Sequence, residues 1–105
     1  DLIEKYKDPY ALIIEDNTFD GKAFHWNVSK DAQKQTAYQI LVASSQENIN
    51  KNIADVWNST KIKGNTNEVV KPNAFKLEKG KTYYWKMRIY DDLNRTGAYT
   101  EAQKI

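Results

Sequence analysis

The fold of this chain is decided by one stretch, Leu77-Glu78-Lys79-Gly80-Lys81-Thr82-Tyr83-Tyr84-Trp85-Lys86-Met87-Arg88-Ile89-Tyr90. Its second half alternates, so that one side carries Tyr83, Trp85, Met87 and Ile89 and the other carries Tyr84, Lys86, Arg88 and Tyr90. Alternation with a period of two, in a run rich in aromatic residues, is the signature of a β-strand with one buried face. We therefore predict a central strand that buries the first set of side chains and turns the second set outward.

A sharp turn is predicted immediately before this strand. Gly80 supplies a backbone position that tolerates positive φ, and Tyr83 lies just inside the strand, where its hydroxyl can fold back onto the preceding backbone. The Leu-x-x-Gly-x-x-Tyr spacing that begins at Leu77 is typical of the tyrosine corner of Greek-key β-sandwiches.

The rest of the chain also predicts short strands separated by turns. Alternating or β-rich runs occupy 10–15, 22–28, 35–44, 55–59, 68–70 and 98–104. Together with the central strand they make about seven, at spacings near ten residues, which is the pattern of an immunoglobulin-like β-sandwich. We predict an all-β domain over 10–105, preceded by a polar N-terminal segment, 1–9.

One short helix is expected within this pattern, in the segment 45–53. Ser45 is a suitable N-cap, and Ile49 and Ile53 lie four residues apart, so that one or two helical turns can dock on the sheet. Turns are predicted at 16–18, 20–21, 61–67 and 91–97, where Asp, Asn and Gly concentrate. In the last of these, Gly97 is expected to adopt a positive φ.

Composition limits the functional classes that the chain can belong to. Its 105 residues fit one domain, and a net charge of +2 is too small and too evenly mixed to predict binding to nucleic acid or an anionic membrane. No apolar run approaches the roughly 20 residues of a membrane-spanning helix, so no membrane insertion is expected. The three Trp, seven Tyr and three Phe suit a sandwich core and would equally suit a sugar-stacking surface.

No catalytic residue, metal site or cofactor site is predicted. The chain has no Cys, and His25 is its single histidine, so it lacks a thiolate nucleophile and a histidine cluster. The adjacent pairs Glu15-Asp16 and Asp91-Asp92 could resemble a hydrolase pair, but a glycosidase needs two carboxyl groups roughly 5–9 Å apart across an enclosed cleft. We interpret these carboxylates as solvated loop charge.

The aromatic residues divide into a predicted core and a set with two interpretations. Trp26, Tyr38 and Trp85 lie inside strands and are predicted to fill the core, where a buried ring covers on the order of 200 Å². Trp57 sits in a short segment after the expected helix. It either packs that segment onto the sheet edge, which we favour, or stacks on a ligand.

A second candidate surface lies on the outward side of the sheet. Tyr84, Arg88, Tyr90 and Tyr99 are predicted to point away from the core. They would form either a solvated face with cross-strand aromatic–cation pairs or an interface with a neighbouring domain, in which aromatic residues and Arg are enriched. The pattern alone leaves both possibilities open.

Three segments carry a more specific resemblance. They are the strand 35–44 (Gln-Thr-Ala-Tyr-Gln-Ile-Leu-Val-Ala-Ser), the segment 55–61 (Asp-Val-Trp-Asn-Ser-Thr-Lys) and the stretch 77–91 that ends in Tyr-Tyr-Trp-Lys-Met-Arg-Ile-Tyr-Asp. Together they resemble the fibronectin type III-like domain at the N-terminus of bacterial α-L-rhamnosidases, over about residues 24–101. This chain has Thr60 where that family has Gly, and Tyr99-Thr100-Glu101 where the family has Trp-Ser-Glu. The opening strand lacks the family's Asn-Pro-Leu-Gly lead-in.

The resemblance implies a non-catalytic structural module of a larger carbohydrate-active enzyme, located outside the cytoplasm in the periplasm, on the cell surface or in the medium. Neighbouring domains of the parent protein are then the expected partners, with polysaccharide as a further possibility. The start at Asp1 agrees with a fragment of a longer protein. Two alternatives remain, a carbohydrate-binding module that uses Trp57, Tyr90 or Tyr99, and a cell-surface protein-interaction module that uses Tyr84, Arg88 and Tyr90.

Overall fold

The computed structural model describes residues 14–28, 35–91, 96 and 98–105. Within these residues the elements are β1 (Ile14–Phe19), β2 (Ala23–Val28), β3 (Ala37–Ala43), α1 (Gln46–Asn50), β4 (Trp57–Asn58), β5 (Ile62–Lys63), β6 (Glu68–Val70), β7 (Tyr84–Tyr90) and β8 (Gln103–Lys104). The predicted N-terminal segment, 1–9, and the first part of the first predicted strand, 10–13, lie outside the described residues.

Two antiparallel sheets form the domain. One has the strand order β1-β2-β6, and the other has the order β4-β3-β7-β8, with β5 also paired to β3. β4 pairs with Leu41 and Val42, whereas β5 pairs with Ala37 and Tyr38. Since β7 occupies the other side of β3, β4 and β5 follow one another along the same edge. The prediction of an all-β sandwich is confirmed.

β7 is the central strand, as predicted. It pairs with β3 over seven residues, from Tyr84 opposite Ala43 to Tyr90 opposite Ala37. The four inward side chains of this stretch are each at most 6 % exposed. They are Tyr83, Trp85, Met87 and Ile89.

The turn before β7 is a tyrosine corner. The Tyr83 hydroxyl accepts a hydrogen bond from the backbone N–H of Glu78 at 2.9 Å. Between them Gly80 has a φ of 85°, in the left-handed region where a Cβ is disfavoured. The interpretation of the Leu-x-x-Gly-x-x-Tyr spacing is confirmed.

Aromatic rings from both sheets fill the core. The ring of Phe24 in β2 lies edge-on to Trp85 in β7, with centroids 4.9 Å apart. Trp26 in β2 lies 5.4 Å from Tyr38 in β3. Such pairs contribute about 0.5–1.5 kcal/mol beyond the burial of their area. The predicted core positions of Trp26, Tyr38 and Trp85 are confirmed.

The short helix forms where it was expected but covers fewer residues. Ser45 is the N-cap, and its side chain accepts from the backbone N–H of Asn48 at 3.1 Å. Ile49 is fully buried, whereas Ile53 follows the end of α1 and is 47 % exposed. Only the first of the two isoleucines therefore docks on the sheet.

Two predicted turn segments contain strand structure. Residues 16–18 belong to β1, whose pairing with β2 shifts register between Glu15 and Thr18 in a β-bulge, with Asp16 at φ 52°. The bulge accommodates a residue type that tolerates positive φ without ending the strand. Likewise Ile62 and Lys63, inside the predicted turn region 61–67, form β5. Both turn predictions were wrong at these positions because pairing with a neighbouring strand outweighs local turn preference.

The predicted turn at 20–21 is confirmed. The Asp20 carboxylate accepts hydrogen bonds from the backbone N–H groups of Lys22 and Ala23, both at 2.8 Å. This side-chain arrangement closes the connection between β1 and β2.

The burial of Asp91 contradicts a further prediction from the sequence. This residue is 1 % exposed, so solvated loop charge was the wrong interpretation for this carboxylate. Thr36 binds the backbone on both sides of Asp91, because its N–H donates to the Tyr90 carbonyl at 2.9 Å and its hydroxyl donates to the Asp91 carbonyl at 2.7 Å. Asp91 is thereby held at the end of the sheet. Asp92 and the expected positive φ of Gly97 lie outside the described residues.

The last predicted strand is regular only at its end. β8 covers Gln103 and Lys104, but the N–H of Thr100 already donates to the carbonyl of Met87 at 2.8 Å. The segment before β8 thus runs beside β7, which brings Tyr99 near the outward side chains of that strand.

Candidate functional site

The side chains of the five-stranded sheet that point away from the core form a surface that we call the outer face. Directly paired residues of antiparallel strands share a face. The outer face therefore consists of Ala37, Gln39, Leu41 and Ala43 of β3, their partners Tyr90, Arg88, Lys86 and Tyr84 of β7, and Asn58, Lys63 and Lys104 of the flanking strands.

Gln39 joins several of these side chains through one amide. Its Oε1 accepts from Nε of Arg88 at 3.0 Å and from the hydroxyls of Tyr90 and Tyr99, both at 3.3 Å. Its Nε2 donates to Oδ1 of Asn58 at 3.0 Å. Three donors thus share this one oxygen, whereas a carbonyl oxygen offers only two lone pairs. This competition explains why the two hydroxyl contacts are the longer ones.

Cationic groups lie over the two tyrosine rings. The guanidinium carbon of Arg88 is 4.6 Å from the ring centroid of Tyr99 and 5.5 Å from that of Tyr90. Nζ of Lys86 is 4.9 Å from the Tyr99 centroid, and Nζ of Lys61 is 4.8 Å from the Tyr90 centroid. Contacts of this kind contribute about 0.5–1 kcal/mol when exposed and about 2 kcal/mol when desolvated. We call this group the cation–aromatic cluster: Gln39, Lys61, Lys86, Arg88, Tyr90 and Tyr99.

Burial alters the ionisation of two members of the cluster. Burial lowers the pKa of the Lys86 ammonium, because the charged form loses hydration. Burial also raises the pKa of the Tyr99 hydroxyl, an effect that the nearby Arg88 charge partly opposes. Tyr99 therefore stays protonated at neutral pH and can donate to Gln39.

The other half of the outer face is apolar and covered. Ile49 of α1 packs on Leu41 and Ala43, and Tyr84 and Tyr99 border this second, smaller core. Docking of the helix on the sheet was predicted from the sequence, but the two interpretations of Tyr84, Arg88, Tyr90 and Tyr99 did not include a helix that covers part of their face.

Trp57 lies on the opposite side of its sheet. Its ring stacks on Phe75 with centroids 5.2 Å apart and lies 6.1 Å from the ring of Phe24. The half-buried side chain thus packs against the main core, as favoured from the sequence. A role of Trp57 in ligand stacking stays a prediction.

The structure brings together three of the five candidate residues. Arg88, Tyr90 and Tyr99 meet at Gln39, whereas Tyr84 lies near α1 and Trp57 packs on the core side. Gln39 was missed because its partners lie 19 to 60 residues away along the chain. The alternation of side chains along the strand could have identified Gln39. It lies between the inward-pointing Tyr38 and Ile40, so its own side chain has to point outward.

Two acidic residues away from the cluster, Asp20 and Asp55, act as hydrogen-bond acceptors. The backbone N–H groups of Ala23 and Lys22, followed by the His25 side chain, lower the pKa of Asp20 to about 2. The side chain and then the backbone N–H of Ser44 lower the pKa of Asp55.

Two features are absent from the part of the chain that the structure describes. No group of three or more His, Cys, Asp or Glu side chains there could hold a metal ion. Among the same residues, no helix is long and apolar enough to cross a membrane.

Comparison with known proteins identifies what this domain is similar to. The family described as "Rha78A-like, N-terminal immunoglobulin domain" matches residues 18–105. An α-L-rhamnosidase of Formosa agariphila is 35 % identical over 104 residues, which is 97 % of this chain and 10 % of the relative. The solved structure of an α-L-rhamnosidase from Dictyoglumus thermophilum superposes with a TM-score of 0.73 at 30 % identity, over 91 % of this chain and 12 % of that one.

A second solved structure agrees in fold. The α-L-rhamnosidase of Streptomyces avermitilis, complexed with L-rhamnose, superposes with a TM-score of 0.67 at 23 % identity, over 90 % of this chain and 10 % of that one. The chain thus spans about a tenth of the length of each relative.

Proposed function

Because this chain belongs to the family of Rha78A-like N-terminal immunoglobulin domains, we propose that it is a non-catalytic accessory domain of a larger glycoside hydrolase of the α-L-rhamnosidase type. One observation carries the proposal: nearly all of the chain, 97 %, aligns with only 10 % of an α-L-rhamnosidase. The catalytic groups of such an enzyme would then lie in the remaining length.

The chemistry of the described residues supports this assignment. Glycoside hydrolysis needs a carboxylic acid with a raised pKa and a second carboxylate across an enclosed gap. The environments of Asp20 and Asp55 instead lower the pKa of each, which suits acceptors in turns rather than proton donors. The space between the sheets is occupied by the packed rings of the core.

The accessory role is structural. The domain packs against or spaces the rest of the enzyme, and its rigid two-sheet body gives a fixed surface for that contact. The longer protein is bacterial and acts outside the cytoplasm, where the enzyme encounters polysaccharides. Immunodetection in the cytoplasmic, periplasmic and medium fractions of the source cells tests that location, and retention in the cytoplasm alone contradicts it.

Removal of residues 18–105 from the longer polypeptide tests the accessory role. The variant is expected to keep a kcat on an aryl α-L-rhamnoside within about tenfold of the parent, since no reacting group is removed. It is also expected to melt at a lower temperature, because the contact with this domain is lost. A folded variant with no measurable kcat would assign part of the chemistry to this domain and refute the proposal.

A further inference from the structure

The two sheets of the sandwich carry charge of opposite sign. The strand residues of the five-stranded sheet contain Lys63, Lys86, Arg88 and Lys104 and no Asp or Glu. The described strands of the other sheet contain no Lys or Arg and include Asp16 and Glu68. A chain with a net charge of only +2 thus concentrates positive charge on one sheet.

All four of these cations lie on the outer face. The register places each of them opposite an outward residue of the neighbouring strand, and paired residues share a face. The pairs are Lys63–Ala37, Lys86–Leu41, Arg88–Gln39 and Lys104–Tyr84.

The rings of the cation–aromatic cluster are not available as a flat platform for sugars. Tyr90 is 8 % exposed, and Arg88 and Lys86 lie over the ring of Tyr99. A pyranose ring stacks on a bare aromatic face, whereas this surface presents cationic groups held above aromatic rings. Such a layer suits a partner that carries carboxylates.

Arg88 is held in place before any partner arrives. Its Nε is bonded to Gln39 and its guanidinium plane contacts both tyrosine rings, so little rotamer entropy remains to be lost on binding. A planar guanidinium is well suited to bind a carboxylate. Tyr and Arg are also enriched where protein surfaces meet.

We propose that the outer face, centred on Arg88 and flanked by Lys63 and Lys104, docks onto an acidic surface of the longer polypeptide outside residues 1–105. The inference rests on the proposed accessory function and names the face and the chemistry of its partner. A protein partner is favoured over an acidic polysaccharide because the covered rings leave no stacking platform.

Zero-length cross-linking of the full-length protein with a water-soluble carbodiimide tests the inference. The reagent joins a lysine amine to a carboxylate only where the two are in contact. We expect peptides that link the exposed lysines Lys61, Lys63 or Lys104 to Asp or Glu residues outside 1–105. Their yield should fall when the salt concentration rises from 0.1 M to 1 M, since the screening length shortens from about 10 Å to about 3 Å.

The chain provides its own positive and negative controls. The exposed pair of Lys81 and Glu78, 2.7 Å apart, should cross-link within the domain in every sample. Lys63→Glu with Lys104→Glu should lower the external cross-links of Lys61, an exposed member of the cation–aromatic cluster, about fivefold or more, because attraction becomes repulsion. Lys76→Glu with Lys79→Glu makes the same charge change at exposed residues of the connection before β7 and should leave those cross-links unchanged.

The contrary outcomes are distinct. If only the internal control pair cross-links, or if external cross-links arise from Lys76 and Lys79 instead, the outer face is not the docking surface and the accessory function still stands. A different set of results would show that the partner is an acidic polysaccharide and that the inference is wrong. In that case the chain migrates more slowly in a gel that contains polygalacturonate, the double variant at Lys63 and Lys104 abolishes this retardation, and no external cross-link forms. Catalysis by the isolated chain would instead overturn the accessory function itself.

Discussion

The indole N–H of Trp26 donates a hydrogen bond to the side-chain oxygen of Gln35 at 3.0 Å, with the two residues 1 % and 7 % exposed. The amide nitrogen of Gln35 also donates to the backbone carbonyls of Gly64 and Thr66, at 3.1 and 2.8 Å. One buried amide thus satisfies a core tryptophan of the first sheet and holds the connection between β5 and β6.

Replacement of Gln35 by Leu is expected to lower the free energy of unfolding by about 2–4 kcal/mol. The change leaves the Trp26 indole N–H buried without an acceptor, and each buried polar group that loses its partner costs about 1–3 kcal/mol. Urea denaturation of the wild type and the variant measures the loss.

A double-mutant cycle identifies the cause. Trp26→Phe removes the stranded donor, so Gln35→Leu should cost at least about 1 kcal/mol less in the Trp26→Phe background than in the wild type. Equal costs in both backgrounds would show that the hydrogen bond with Trp26 is not what makes Gln35 important.

Tyr83→Phe is expected to lower the free energy of unfolding by about 1 kcal/mol, since the variant keeps the ring and loses only the hydrogen bond from Glu78. Tyr84→Phe, on the opposite side of the same stretch, is the matched control and should cost less. Equal values from guanidinium denaturation would mean that the tyrosine corner adds no stability.

Thr60→Gly is expected to stabilise the domain. Thr60 has a φ of 60°, a conformation that destabilises the folded state by about 1–2 kcal/mol when the residue has a Cβ. Glycine removes this strain, but its greater freedom in the unfolded chain offsets about 0.5–1 kcal/mol of the gain. A net gain of about 0.5–1 kcal/mol follows.

Thr82→Gly is the control for this substitution, because Thr82 does not have a positive φ and should lose stability on the change to Gly. Thermal unfolding of both variants decides the point. A drop in melting temperature for Thr60→Gly as large as that for Thr82→Gly would exclude backbone strain at Thr60.

The stability of the domain should fall in acid partly through Asp20. Its pKa drops from an ordinary value of 3.8 to about 2 on folding, so the folded state binds this proton less readily than the unfolded chain. The contribution is fully present above about pH 4 and is lost as the pH falls through about 2. Asp20→Asn should therefore give a shallower slope of unfolding free energy against pH between 4 and 2, and an unchanged slope would contradict the assignment.

Local patterns were sufficient to predict the elements that depend on neighbours in sequence. The alternation from Tyr83 to Ile89, the corner at Gly80 and the N-cap at Ser45 each involve residues within a few positions of one another. Their physical causes, side-chain parity, positive φ and capping, can be recognised without knowledge of the partner strands.

The site could be predicted only in part because its contacts are long-range. The alternation along β7 was sufficient to predict that Arg88 and Tyr90 point outward. Their contact with Tyr99 at Gln39, however, depends on the register of β3 and β7 and on the course of the chain before β8. The bulge at Asp16 was likewise missed, since a local preference for positive φ does not reveal whether the chain turns or stays in a sheet.

Hydrolysis of an aryl α-L-rhamnoside by the purified 105-residue chain, assayed beside the longer enzyme that we propose it belongs to, tests the central claim most directly. We predict release of the phenol by the longer polypeptide and none above the buffer rate by the chain, whose fold is checked by near-UV circular dichroism of its buried tryptophans. Saturable turnover by the folded chain would contradict the account.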